Sequence, residues 1–145
     1  MWPRLAAYAS WVALFCPVTI HLLAPGSANA AEAARAAAGR LSLERIAMVF
    51  CSGTEQVVAI AEQVARLLDV PCRVDPELAG LDVATMGTGA IVSRGGARAL
   101  DGIADEFRGE HVLVVGDVPA EGAAPGPVLK RLEIGDDGWG PVTTS

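Results

Sequence analysis

Hydrophobic and polar residues fall along this chain in blocks of changing period, and each change marks the edge of an element. An apolar run covers residues 5–16, Pro17 interrupts it, and residues 18–23 resume it with a β-branched Val-Thr-Ile start that Pro25 and Gly26 close. Such a run predicts a buried first strand. Residues 31–41 are alanine-rich with Gly39 near their end, which predicts a helix because alanine loses least on entering one. Residues 45–51 read as a second buried strand. Ser52 and Glu55 then have the spacing of a capping box, with the hydroxyl accepting from a helix amide and the carboxylate reaching back. Behind them Val57, Val58, Ala61, Val64, Ala65 and Leu68 share one helical face, and Pro71 stops that helix near Asp69. Residues 72–74 form a short strand.

The middle of the chain is rich in glycine, with Gly87, Gly89, Gly95 and Gly96 close together. No strand leads into Gly87 and no lysine follows, so neither a dinucleotide fingerprint nor a P-loop is complete, and the stretch reads as a flexible connection. Residues 97–108 predict an amphipathic helix through Leu100, Ile103, Ala104 and Phe107, with Asp101, Asp105 and Glu106 facing solvent. A strand over 111–116 runs into Asp117, read as a turn residue. Residues 127–134 alternate as a half-exposed strand, 135–138 turn, and 139–143 return along the edge. Strands alternating with helices predict a three-layer α/β/α domain with a mainly parallel sheet. Any site chemistry then belongs outside the carboxyl ends of the strands, near Gly26, Ser27, Ser52 and Asp117.

Length and charge narrow the picture. The 145 residues suit one domain over 18–145 behind an apolar extension at 1–17. Eleven basic residues in a chain of net charge −6 supply no basic stripe, so nucleic acid is not an expected partner. Cys16, Cys51 and Cys72 lack metal-ligand spacing, His21 lies inside an apolar run and His111 starts a strand, so neither a metal nor a cofactor is expected. The N-terminus admits several readings. Residues 1–30 resemble a secretory signal ending in Ala28-Asn29-Ala30, residues 5–23 are long enough to anchor in a membrane, and 18–23 are a strand of a cytoplasmic domain. Cleavage after Ala30 would remove that first strand.

In order along the chain, these segments resemble the framework of the histidine phosphatase superfamily, the phosphoglycerate mutase-like proteins, in a shortened form. The resemblance runs over about 18–142. The family's first strand ends in Arg-His-Gly, and here Ala24-Pro25-Gly26 stands there. Its second strand leads through serines to a phosphate-binding arginine, where this chain has Ser52 and then Gln56. Its Asp-Pro-x-Leu-Arg-Glu segment is matched by Asp75-Pro76-Glu77-Leu78-Ala79-Gly80, with Gly80 in place of the acid that protonates the leaving group. Its second histidine, after the strand over 111–116, is replaced by Asp117.

The resemblance therefore implies a fold without its reaction, because phosphoryl transfer depends on fixed positive charge around a dianion. Ala24, Pro25, Gly26, Gln56, Gly80 and Asp117 are the degenerate positions, and Ser27, Ser52 and Gln56 the residues left to contact a ligand. A pseudophosphatase that binds a small molecule or protein partner without turnover is the expected function. The alternatives are an exported or membrane-tethered interaction protein and a hydrolase of altered chemistry using Cys51 or Ser52. Replacement of the family's long helix by residues 120–126 leaves one face of the sheet expected to be partly uncovered, open to a partner, a second copy or a membrane.

Overall fold

Four of the expected strands form the parallel part of the sheet. The computed structural model describes residues 17–26, 28–87, 92–117 and 127–144. Strands β1 (Val18–Ala24), β2 (Ile46–Cys51), β3 (Cys72–Val74) and β4 (His111–Val115) lie in the order β3-β2-β4-β1. Antiparallel β5 (Val128–Gly135) extends the sheet beyond β1, and the short β6 (Gly138–Trp139) and β7 (Thr143–Thr144) both pair with β5. The strands β1, β4 and β2, whose carboxyl ends were expected to carry the site, are direct neighbours. Because β1 is hydrogen-bonded on both sides and buried along its whole length, it is a central strand.

The period of two in each strand sorts its side chains between two layers. Leu23, Val49, Cys51, Leu113 and Val115 face helices α1 (Ala30–Leu41) and α2 (Glu55–Leu68). Val18, Ile20, Leu22, Phe50, Val112 and Val114 face helix α3 (Arg94–Glu106) and the regions of two 3₁₀ turns, Pro76–Leu78 and Val83–Thr85. Each layer closes one core, which gives the expected three-layer α/β/α architecture.

Several local expectations are corrected. The capping box does not form. Thr54 occupies the cap of α2 without a side-chain cap bond, and Glu55 is already helical. The helix α3 starts at Arg94, because the Ser93 hydroxyl accepts from the Gly96 amide at 3.1 Å. Gly95 and Gly96 are thus its first turn instead of a flexible connection, and a Cβ at Gly96 would sit 3.2 Å from the Leu81 side chain. The return strand breaks at 140–142 into β6 and β7. Strand β5 alternates as expected, with Leu129, Leu132 and Ile134 buried and Arg131 and Glu133 paired at 3.1 Å on the more exposed positions, while the expected uncovered face beside residues 120–126 lies outside the described residues. Residues 1–16, most of the signal or anchor segment, lie outside the described residues, as do Ser27 and 118–126. Residues 18–23 belong to the central strand, so a membrane span over 5–23 would compete with this fold for them.

Candidate functional site

The carboxyl ends of β1, β4 and β2 are level with one another, with Leu23, Val115 and Cys51 paired in register. The next residue of each strand therefore opens the candidate site. Beyond β4, the Gly116 amide donates to the Leu23 carbonyl at 2.9 Å, which fixes the chain beside the end of β1. Gly116 has to be glycine, since a Cβ there would lie 2.5 Å from the Val83 side chain. Asp117 follows, anchored by its amide to the Leu81 carbonyl at 3.1 Å.

The carboxylate of Asp117 is held from two sides. Ser52, fully buried after β2, donates its hydroxyl to Oδ1 at 2.6 Å, and the Gly80 amide donates to Oδ2. Gly80 sits at φ +80, in the left-handed region that favours glycine. Of the residues predicted from sequence, the structure thus joins Ser52, Gly80 and Asp117 into one latch tying β2, β4 and the connection between the 3₁₀ turns. Ser52 is withdrawn from the capping role because this carboxylate is the stronger partner for its hydroxyl. On the other side of β4, Ala24 ends β1 and Pro25 and Gly26 follow it, all three buried, and Gly26 adopts φ +64. Gln56 is exposed in the first turn of α2.

The chemistry open to these groups is narrow. Pro25 carries no nucleophilic nitrogen. Cys51 is fully buried, and desolvation, followed by the neighbouring Cys72, pushes its thiol up to about 12, so a thiolate is negligible at neutral pH. Ser52 has a carboxylate partner but no histidine, because both histidines of the chain lie elsewhere. A cleft beside Gly80 is lined by Leu81, Asp82, Thr85, Met86, Val92 and Ser93, and among the described residues its lining holds no cationic side chain.

The two histidines meet each other. His21, 3 % exposed, lies with its Nε2 3.0 Å from Nδ1 of His111, and the rings stack with centroids 5.3 Å apart. The Glu44 carboxylate stands 3.6 Å from the same Nδ1. Burial first, and then the charges of His111 and Arg131 against the opposing pull of Glu44, lower the pKa of His21 to about 4. No sequence signal short of the strand register could pair residues 90 positions apart: Thr19 faces His111, which puts His21 on the same face two residues on. Lys130, the chain's single lysine, was also missed. Its buried ammonium donates to the carbonyls of Ala84 at 2.8 Å and Met86 at 2.7 Å, pinning the second 3₁₀ turn onto β5.

No protein-family model matches the sequence, and no curated protein matches it. Among solved structures, YhfR of Bacillus stearothermophilus superposes with a TM-score of 0.63 at 15% identity, over 86% of this chain and 95% of its own. A putative phosphohistidine phosphatase SixA from Agrobacterium tumefaciens gives 0.54 at 16% identity, over 89% and 97%. A putative alpha-ribazole-5'-P phosphatase from Escherichia coli gives 0.54 at 15%, over 88% and 96%. The chain has the phosphoglycerate mutase-like α/β fold, and these structural neighbours are histidine phosphatase superfamily members.

Proposed function

We propose that this chain is a pseudophosphatase, a histidine phosphatase-like domain that binds a small molecule or protein partner without transferring a phosphoryl group. The observation that carries the reading is the latch: an internal carboxylate, Asp117, occupies the donors of Ser52 and Gly80 at the strand ends where this fold would gather a phosphate. A fixed negative charge there opposes a dianion, and the latch brings no cation to offset it. The positions matched to the family's nucleophile and arginines, Pro25, Ala24 and Gln56, supply neither a nucleophile nor a positive charge.

The test is an assay of the purified full chain on a chromogenic phosphomonoester over a range of pH, with inorganic phosphate titrated in parallel. We expect release at the buffer rate and no thermal stabilisation by phosphate. Turnover well above buffer that disappears in Ser52→Ala or Asp117→Asn would overturn the reading in favour of an altered hydrolase.

A further inference from the structure

We propose that His21, His111 and Glu44 form a binding site for a zinc-class divalent transition-metal ion at the amino end of β4, opposite the latch. The ligand atoms of the three side chains all lie within 4.8 Å of one another. Two imidazoles and one carboxylate are a donor set that suits such an ion and leaves further coordination positions free. The spacing fits as well. Ligands bound at about 2.0–2.1 Å around a tetrahedral ion stand roughly 3.3 Å apart. Two of the three separations, 3.0 Å between the two nitrogens and 3.6 Å from His111 to Glu44, bracket that value, and the third lies within 4.8 Å.

Placement favours the same conclusion. The three ligands come from three separate parts of the chain: β1, the loop between α1 and β2, and the first residue of β4. His21 is held by the central strand, whereas His111 and Glu44 are part-exposed and can adjust by a few tenths of an ångström. An open pocket lined by Leu43, Glu44, Ala47, Gly109, Glu110 and His111 gives the ion a route in and leaves room for a water ligand. Arg131, beside His21, and Arg45, on the pocket rim, oppose a cation. Glu44 and Glu110 on the pocket, with Glu133 paired to Arg131, offset them. On binding, the ion replaces the proton now shared between the facing nitrogens, and that proton moves through solvent to the far nitrogen of its own ring.

The proposal stands apart from the pseudophosphatase reading, and a separate measurement tests it. The full chain, stripped with a chelator, is titrated with zinc by calorimetry and in competition with a chromophoric chelator. One ion per chain is expected, with thermal stabilisation that the chelator reverses. Glu44→Gln and His111→Ala, both at part-exposed positions, should each weaken binding by about tenfold or more. Cys72→Ser should leave it unchanged. Cobalt(II) added to the unaltered chain gives a readout that needs no variant to fold: the visible bands of nitrogen and oxygen ligation without thiolate charge transfer. Absence of zinc binding, affinity indifferent to Glu44 and His111, or a thiolate band in the cobalt spectrum would each overturn the site.

Discussion

Two side chains show how single residues decide what this fold can do. Asp117 and Ser52 share a short hydrogen bond with one partner fully buried, so removing either costs the other its shortest side-chain partner. Ser52→Ala and Asp117→Asn should each destabilise the chain by about 1–3 kcal/mol in urea unfolding. The double mutant should lose less than the sum, because one single removes and the other weakens the same bond. Strict additivity would mean that the two groups do not interact in solution. His21 sets a pH dependence of the opposite chemical kind. Its pKa is about 4 in the folded chain against 6.5 as the ordinary value, so the unfolded chain binds the extra proton first. Stability from this group is complete above pH 6.5, declines as pH falls towards 4 and is then exhausted, a loss of at most roughly 3 kcal/mol. His111, Glu44 and Arg131 are the charged and titratable groups that face the same imidazole. In chelator-treated buffer, His21→Leu should flatten the 6.5-to-4 limb of the stability profile, and an unchanged slope would assign that limb to other groups.

Among the elements, α3 separates two kinds of glycine. Gly102 lies in the helix interior with nothing within 4 Å of an added Cβ, whereas a Cβ at Gly96 would meet the Ser93 hydroxyl at 3.0 Å and Leu81 at 3.2 Å. Gly102→Ala should therefore raise stability by about 0.5–1 kcal/mol through helix propensity alone. Gly96→Ala should lower it, since the cap serine or the packed leucine must shift. Thermal melts of the two variants should move in opposite directions, and a shared direction would contradict the packing at the start of α3. The same helix shows where sequence reasoning reaches its limit. Its apolar face was legible from Leu100, Ile103 and Ala104, but the start at Arg94 was not, because glycines speak for a loop unless the cap at Ser93 and the closeness of Leu81 are known. Ser52 fails in the same way: its local pattern favours a cap, and a partner 65 residues away takes its hydroxyl instead. The strands β1, β4 and β2 were legible one by one because buried strands declare themselves locally, and the gathering of their ends followed from the resemblance to a known α/β framework. The histidine pair and the buried Lys130 depend on register between distant strands, which no local pattern carries.

For the molecule as a whole, β1 is the element on which the sheet turns. It joins parallel β4 to antiparallel β5, and Val18, Ile20, Leu22 and Leu23 are fully buried. A chain beginning at residue 31 should therefore fail to fold cooperatively, giving no sharp thermal transition and unprotected amides in β4 and β5. A cooperative transition in that truncated chain would show that the remaining strands can close without β1 and would revive cleavage after Ala30. The latch has a consequence of another sort. A phosphate arriving from solution binds in proportion to its concentration, but the carboxylate of Asp117 is tethered by its own backbone and is present at the strand ends at a high effective concentration whatever the solution contains. On the proposed reading, phosphate, vanadate or any other free oxyanion has to outcompete this tethered carboxylate, so its apparent affinity falls by the factor that the effective concentration sets.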